Sequence, residues 1–340
     1  KVKDVFDGAT LSWYASDGED NEQTDGIGAK ETIELLEKFS ENKENFFLAF
    51  GLYRPHIPFV APKKYFSMYD EKEIQVPSNG DDFLLTVSDP AKKSLRARKE
   101  QINLDKNLKK TIKHAYYATT SFVDAQVGKV LDKLKETGLD KNTIVIFTSD
   151  HGYHLGEKGH WQKQTFYDRS TRVPLIIAGP GILSNKKEMT TPVELVDIYK
   201  TITDLLGFET PSFVQGESLK PFLTKEKKIN KSSALSELQV YLNGNLAQGY
   251  SIKTSRFRLI KWNYKNETYY EFYDHKFDKG ESHNLSNNSS YQLVMDSLKI
   301  ELGKRVKEAS LTPEGVGKQI ENAQPTFEPL RIHSHPKSKN

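Results

Sequence analysis

The chain has 340 residues, 36% of them hydrophobic and 28% charged, a globular balance that excludes disordered, coiled-coil and collagen-like classes. Its 49 Lys and Arg against 46 Asp and Glu leave a net charge of +3 with only short basic groups such as Lys225 to Lys228, so no nucleic-acid partner is expected, whereas a local positive site for an anionic ligand stays open. No run approaches the roughly 18 apolar residues of a membrane span, and the absence of cysteine excludes disulfides, thiolate metal sites and a cysteine nucleophile within these residues.

The first residues, Lys1 to Val5, are not a signal peptide and do not begin with Met, so a processed or truncated chain is expected, its targeting segment not visible. From Gly26 to Ser40, apolar positions recur at helical spacing and lead into Asn45 to Phe50, which predicts a helix and then a buried strand. The prolines of Arg54 to Pro62 forbid helix and predict a stiff, extended surface loop. Residues 70 to 105 are polar and mixed, the pattern of a surface excursion. A long helix is predicted from about Leu108 to Thr137, stopped by Gly138. Thr143 to Phe147 and Val173 to Ala178 read as buried strands, with a helix from Glu194 to Leu206 after them.

This alternation predicts an α/β sandwich with a mostly parallel central sheet over residues 1–224. A lysine-rich, apolar-poor link around Thr224 to Lys231 separates it from an α+β subdomain over 225–324. That subdomain carries strand-like segments at Gly249 to Trp262 and Tyr269 to Tyr273 and a helix near Tyr291 to Ala309. Residues 325–340 are expected to form a peripheral tail.

The segment Thr148 to Lys163 begins where the central strand ends, the place at which ligands gather in open α/β sheets. It holds Asp150, His151, His154, His160, Lys158 and Lys163, with Gly152, Gly156 and Gly159 allowing sharp turns. On the residues alone, Asp150 is either a turn cap with His151 packed on the sheet, or a hard oxygen donor for Ca²⁺ or Mg²⁺ with His151 beside it. A zinc site at His151 and His154 lacks a helix and a further ligand. Lys163 is either solvated or a point charge for an anion. His56, between Pro55 and Pro58, is either packed or has its imidazole rigidly presented. His114 reads as core or subunit packing on a helix face, and Asp17 to Asp20 as a surface turn.

Ser149-Asp150-His151-Gly152, Leu155-Gly156-Glu157, Trp161-x-Lys163 and Arg172-Val173-Pro174-Leu175-Ile176 together resemble the metal-and-lysine segment of type I sulfatases, best the iduronate-2-sulfatase-like branch. Arg54 to Phe59 is similar to that branch's histidine loop, Phe122 to Gly128 to its long helix, and Glu271 to Asp274 with Asp278 and Asn284-Leu285 to its closing pattern.

The resemblance implies an alkaline-phosphatase-like fold and hydrolysis of the sulfate esters of a sulfated saccharide by a formylglycine, made from Cys or Ser, whose hydrate attacks sulfur. It implies one Ca²⁺ ligated by Asp150 and His151, sulfate oxygens held by Lys163, and a sulfate or leaving-group contact at His56. His154 would face the substrate. The family's first two metal aspartates and its Cys/Ser-x-Pro-x-Arg signature are not found. They are expected on an N-terminal portion of the same protein, absent here, so that this chain alone is inactive. The location implied is periplasmic or secreted, or lysosomal if the source is eukaryotic. Two alternatives remain: a phosphodiesterase or phosphonate-monoester hydrolase of the same superfamily, and a non-catalytic domain that binds sulfated polysaccharide.

Overall fold

The structure, a computed structural model, describes residues 2–3, 9–183, 188–225 and 227–311, so the tail expected over 325–340 lies outside the described residues. Short strands β1 (Val2–Lys3) and β2 (Ala9–Leu11) pair antiparallel. Strand β3 (Trp13–Ser16) pairs parallel with β4 (Phe59–Pro62), from Trp13 opposite Phe59 to Ser16 opposite Pro62.

Between β3 and β4 runs α1 (Thr24–Asn42), which buries Ala29, Thr32 and Leu36 on one stripe. After β4 come the single turn α2 (Lys63–Phe66), the short helices α3 (Asp81–Leu84) and α4 (Asp89–Leu95), and the long helix α5 (Lys106–Glu136). Asp105 caps α5 by accepting from the amides of Asn107 and Leu108, both at 2.9 Å. Past its end, Gly138 turns the chain at φ 73°. Ile112, Ala115, Ala118 and Phe122 form the buried stripe of α5.

The two apolar runs read as buried strands of a mostly parallel sheet, β5 (Val145–Thr148) and β6 (Leu175–Ala178), pair with each other antiparallel. A parallel return needs a crossover element, and the residues between them are spent on a looped segment and the single turn α6 (Asp168–Thr171). Helices α7 (Asp197–Leu206) and α8 (Lys220–Lys225) follow. Asn45 to Phe50, predicted as a buried strand, has no strand assignment, and Phe47 is 83% exposed. Among the described residues no strand lies beside it to complete a ladder. Phe147 on β5 and Ile176 on β6 are likewise exposed.

Strands β7 (Ser233–Leu242), β8 (Asn245–Thr254), β9 (Phe257–Tyr264) and β10 (Glu267–Asp274) form an antiparallel meander in the order β10-β9-β8-β7. Asn243 and Gly244, at φ 50° and 74°, make the first hairpin turn with the left-handed pair that a two-residue turn requires. Helix α9 (Gln292–Ala309) lays Met295, Leu298 and Leu302 on one sheet face, against Ile252, Leu259 and Phe272.

The opposite face carries Ala247, Ile260, Trp262 and Tyr264, and it meets Phe83, Val87, Ala91 and Leu95. Residues 70–105 are therefore not a surface excursion. The four apolar side chains recur every fourth residue, and this stripe is the second cover of the C-terminal sheet.

Two leucines near α4 separate packing from exposure. Leu95 is buried and Leu85 is 84% exposed. Leu95→Ala is expected to cost about 2–5 kcal/mol and Leu85→Ala no more than about 0.5 kcal/mol, as read from urea midpoints.

Candidate functional site

Strand β5 ends at Thr148, and its next residues turn out of the sheet with Asp150 at the tip. The Asp150 carboxylate is exposed and accepts the His151 amide at 2.9 Å, while Ser149 Oγ donates to the His151 carbonyl at 3.1 Å. His151 Nδ1 lies 2.8 Å from the Gly152 carbonyl, which only accepts, so Nδ1 carries the proton and Nε2 presents a lone pair. That Nε2 sits 3.3 Å from Asp150 Oδ2. Two lone pairs facing each other at this distance are relieved by a shared cation or by a second proton on the imidazole.

The donor set fits a divalent ion in part. Asp150 and His151 offer an oxygen and a nitrogen, and a hard cation of the Ca²⁺ type takes about 6–8 ligands, mostly oxygens. The remaining ligands must come from elsewhere.

From His151 the chain loops to Lys163. Gly152 is required at the root of the loop, because a Cβ there would stand 2.2 Å from the Arg169 carbonyl oxygen, and its amide donates to the Ser170 carbonyl at 2.8 Å. The loop closes on itself through His154 N to Gln162 O at 3.0 Å and Gly156 N to His160 O at 2.9 Å. Lys163 is half-buried, and among the described residues its ammonium has no hydrogen-bond or ion-pair partner.

His154 does not face outward. It is fully buried, with Nε2 at 3.0 Å from Thr165 Oγ1 and Nδ1 at 3.3 Å from the Glu157 carbonyl, so both ring nitrogens are engaged by the protein. Beside it, His160 is buried with Nδ1 2.9 Å from the Leu95 carbonyl.

The second arm carries His56, which is exposed. Its Nδ1 lies 2.6 Å from the Ile57 carbonyl, so that nitrogen is the donor, and among the described residues Nε2 has no hydrogen-bond partner. The arm is anchored at its root by Asp25 of α1, whose two oxygens accept the amides of Tyr53 at 2.7 Å and Arg54 at 2.9 Å. His114 is half-buried against Phe66, with Nε2 2.9 Å from the Phe66 carbonyl, which is a packing position.

One apolar cluster seats both arms. Phe59 meets the ring edges of Tyr116 at 5.7 Å and Tyr153 at 6.3 Å, and Tyr116 stacks on Tyr153 at 5.8 Å. Ile57 and Trp161 belong to the same cluster. Residues one to three positions from His56, His151 and Lys163 thus share a single core. Burial raises the Tyr153 phenol and keeps it protonated as the donor to the Trp161 carbonyl at 2.6 Å.

The family model "Sulfatase" matches residues 2–208 of this chain, three-fifths of its length. The chain belongs to the sulfatase family. A second model, the C-terminal part of N-sulphoglucosamine sulphohydrolase, matches residues 156–308. A sulfatase of Formosa agariphila is 34% identical over 276 residues, covering 79% of this chain and 52% of that protein. Human iduronate 2-sulfatase is 30% identical over 259 residues, covering 65% of this chain and 47% of that protein.

The chain thus spans about half the length of these curated relatives. In fold it is similar to the phosphonate monoester hydrolase of Silicibacter pomeroyi, with a TM-score of 0.77 at 24% identity, covering 91% of this chain and 64% of that one. It is also similar to a protein solved with its substrate D-glucosamine-2-N,6-O-disulfate, with a TM-score of 0.68 at 23% identity, covering 86% and 71%. The alkaline-phosphatase-like architecture is the common denominator of these structures.

Behind the sulfatase-family loop lies a charge cluster that sequence reasoning missed. Asp168, His275 and Glu281 form a group with ligand atoms within 4.8 Å of one another, but Arg258 already fills it, donating to both Asp168 and Glu281. Burial alone would raise the Glu281 carboxyl, yet Arg258, His275 and the Asp168 amide outweigh it and hold it at about 2. A fixed internal cation makes this a structural ion cluster, not a metal site. Glu281 Oε2 also accepts the Asp168 amide at 2.8 Å, and Lys158 donates to the carbonyls of Gly280 and Glu281, so the C-terminal sheet clamps the loop from behind. The pairs that join the loop to the C-terminal sheet lie 90 or more residues apart in the chain, with no local signal to announce them.

Asp20 likewise proves to be a buried anchor instead of part of a surface turn. It receives Lys129 at 2.6 Å, Lys64 at 2.8 Å and Tyr65 at 2.8 Å.

The buried histidines make the loop acid-sensitive. Burial pushes His160 down to about 4 and His154 well below its ordinary value, with His160 as the second cause for His154. Between the ordinary 6.5 and about 4 the unfolded chain binds protons that the native chain refuses, so stability is full above pH 6.5 and falls as pH drops through this window. For His160 the loss is about 3 kcal/mol. His160→Gln is expected to flatten the pH dependence of the urea midpoint over this range.

Proposed function

We propose that this chain supplies one side of a catalytic site that hydrolyses sulfate esters of a sulfated carbohydrate. Asp150 and His151 are ligands of one Ca²⁺, Lys163 holds sulfate oxygens, and His56 handles the proton at the leaving oxygen. The observation that carries this is the paired Asp150 oxygen and His151 nitrogen at the strand end, with the Lys163 ammonium, unpartnered among the described residues, closing the same loop.

The cation would stabilise charge on the sulfate as the ester bond breaks. Lys163 adds a point charge to the equatorial oxygens, where negative charge develops. His56, with its Nδ1 proton committed to the Ile57 carbonyl, acts from its imidazolium form: Nε2 gives its proton to the departing alkoxide oxygen as the S–O bond opens, leaving the neutral ring. His154 supports the loop from inside and makes no substrate contact in this scheme.

The nucleophile is a formylglycine on polypeptide other than these residues. Two observations support this. The chain has neither a cysteine nor the Cys/Ser-x-Pro-x-Arg signature. It also leaves Phe147 on β5 and Ile176 on β6 open, as a sheet does when neighbouring strands are still to be added, and exposes Phe47 in the extended segment before the His56 arm. Those strands would bring the remaining metal ligands and the nucleophile, both on an N-terminal portion of the same protein. Among the described residues no helix is long and apolar enough to cross a membrane. Sulfated polysaccharides are met outside the cytoplasm, so a periplasmic or secreted protein goes with this function.

The test is Lys163→Ala in the complete protein. Turnover of an aryl sulfate is expected to fall about 10²–10³-fold. Unchanged turnover overturns the assignment, loss of saccharide affinity without any turnover in the parent protein points to a binding module, and a preference for phosphonate or phosphodiester substrates points to the phosphoryl-transfer alternative.

A further inference from the structure

A cavity of about 420 Å³ lies on the far side of α4, where the segment Asp89 to Lys99 faces the two hairpin turns of the C-terminal sheet. Its walls carry Lys92, Lys93, Arg96 and Lys99 from one stretch of chain and Lys265 from the β9–β10 turn, which meet although they lie more than 160 residues apart. The sole carboxylate in the lining is Asp89, and Lys92 already engages it at 3.1 Å. Among the described residues Lys93 and Lys99 have no partner, and Lys265 makes only a ring contact, 5.4 Å over Tyr264. In a chain whose net charge is only +3, so local an excess of cations is not the general surface composition. Like charges brought together raise one another's energy, and a bound polyanion relieves it.

We propose that this cleft is a second, non-catalytic subsite for the sulfate groups of a sulfated polysaccharide. The proposal rests on the reading of the substrate as a sulfated carbohydrate and deepens it, making the preferred substrate a chain with repeated charges. Spaced ammonium groups match spaced sulfates as point charges. Nucleic acid fits less well, because single strands are held by stacking on exposed aromatic rings, and the one ring in the lining, Tyr264, is buried with its hydroxyl bound to the Leu242 carbonyl at 3.1 Å.

The cleft is tied to the candidate catalytic loop. Arg96 donates to the Lys158 carbonyl at 2.7 Å and to the Asn79 carbonyl at 2.9 Å, and Gly159 at φ 66° sits so close to the Arg96 guanidinium and the Asn79 carbonyl that no side chain fits. The wall of the cleft and the loop that ends in Lys163 therefore pack as one piece.

The test uses heparin as the probe and the triple variant Lys93→Glu, Lys99→Glu, Lys265→Glu, with the triple Lys→Arg variant as the control for folding. Heparin affinity of the full chain is expected to weaken by about tenfold or more in the Glu variant, with a shallower salt dependence, and to persist in the Arg variant. In the complete protein the Glu variant is expected to keep aryl sulfate turnover while losing kcat/KM on a sulfated polymer. Heparin affinity unchanged by charge reversal overturns the cleft. Duplex DNA bound as tightly as heparin, and lost in parallel, overturns the polysaccharide assignment. Because heparin binding is read without turnover, an inactive parent protein would sink the sulfatase reading and leave the cleft to be judged on affinity alone.

Discussion

The contact on which the candidate site depends is aromatic. Phe59, Tyr116 and Tyr153 meet with ring centroids between 5.7 and 6.3 Å, and Trp161 is buried in the same cluster. Phe59 follows His56 on one arm, Tyr153 and Trp161 bracket the loop on the other, and Tyr116 stands on the long helix between them. Each such ring pair contributes about 0.5–1.5 kcal/mol beyond the area it buries, so the cluster is strong enough to hold two irregular segments in register. Apart from the start of β4 at Phe59 and one 3-10 turn at Glu157–Gly159, the arms have no regular secondary structure of their own to do this. The exposed His56, the Asp150–His151 pair and the half-buried Lys163 are polar tips on an apolar footing.

Charge completes what the rings begin. Asp25 ties the root of the His56 arm to α1, and the Arg258–Asp168–Glu281 cluster ties the far end of the loop to the C-terminal sheet. A buried ion cluster of this kind is poor evidence of net stability, since desolvation offsets much of the attraction. Its effect here is positional: losing one partner would leave an uncompensated charge behind the loop. Elsewhere, Lys231 with Glu194 and Asp197 repeats the pattern, fastening the start of α7 to the entry of β7. The C-terminal sheet is therefore part of the site's scaffold.

Much of this was legible in the sequence, for local reasons. The apolar stripe of α5 and the β-branched run of β5 carry their own periodicity, and the end of that run marks the place of Asp150 and His151 in sequence alone. What escaped notice was either non-local or camouflaged. Phe83, Val87, Ala91 and Leu95 keep strict helical spacing, but the polar residues around them and the break between two short helices hid it. Strand β7 carries no clean alternation, since Ala234 and Leu235 adjoin, Ser236 and Glu237 follow, and Val240 to Leu242 run together. The burial of Asp20, His154 and Arg258 depends on partners far along the chain, which no window of sequence displays. Asn45 to Phe50 shows the converse error, since an apolar run predicts a buried strand only where neighbours exist to bury it.

The dependence of both arms on one aromatic cluster is open to a direct measurement by amide hydrogen exchange on Phe59→Leu. Faster exchange is predicted at His56 in the first arm and also at Gly152, His154 and Gly156 in the second, whose amides bond to the Tyr53, Ser170, Gln162 and His160 carbonyls respectively. Acceleration confined to residues 53–62, with the 150–163 loop as protected as before, would contradict the account.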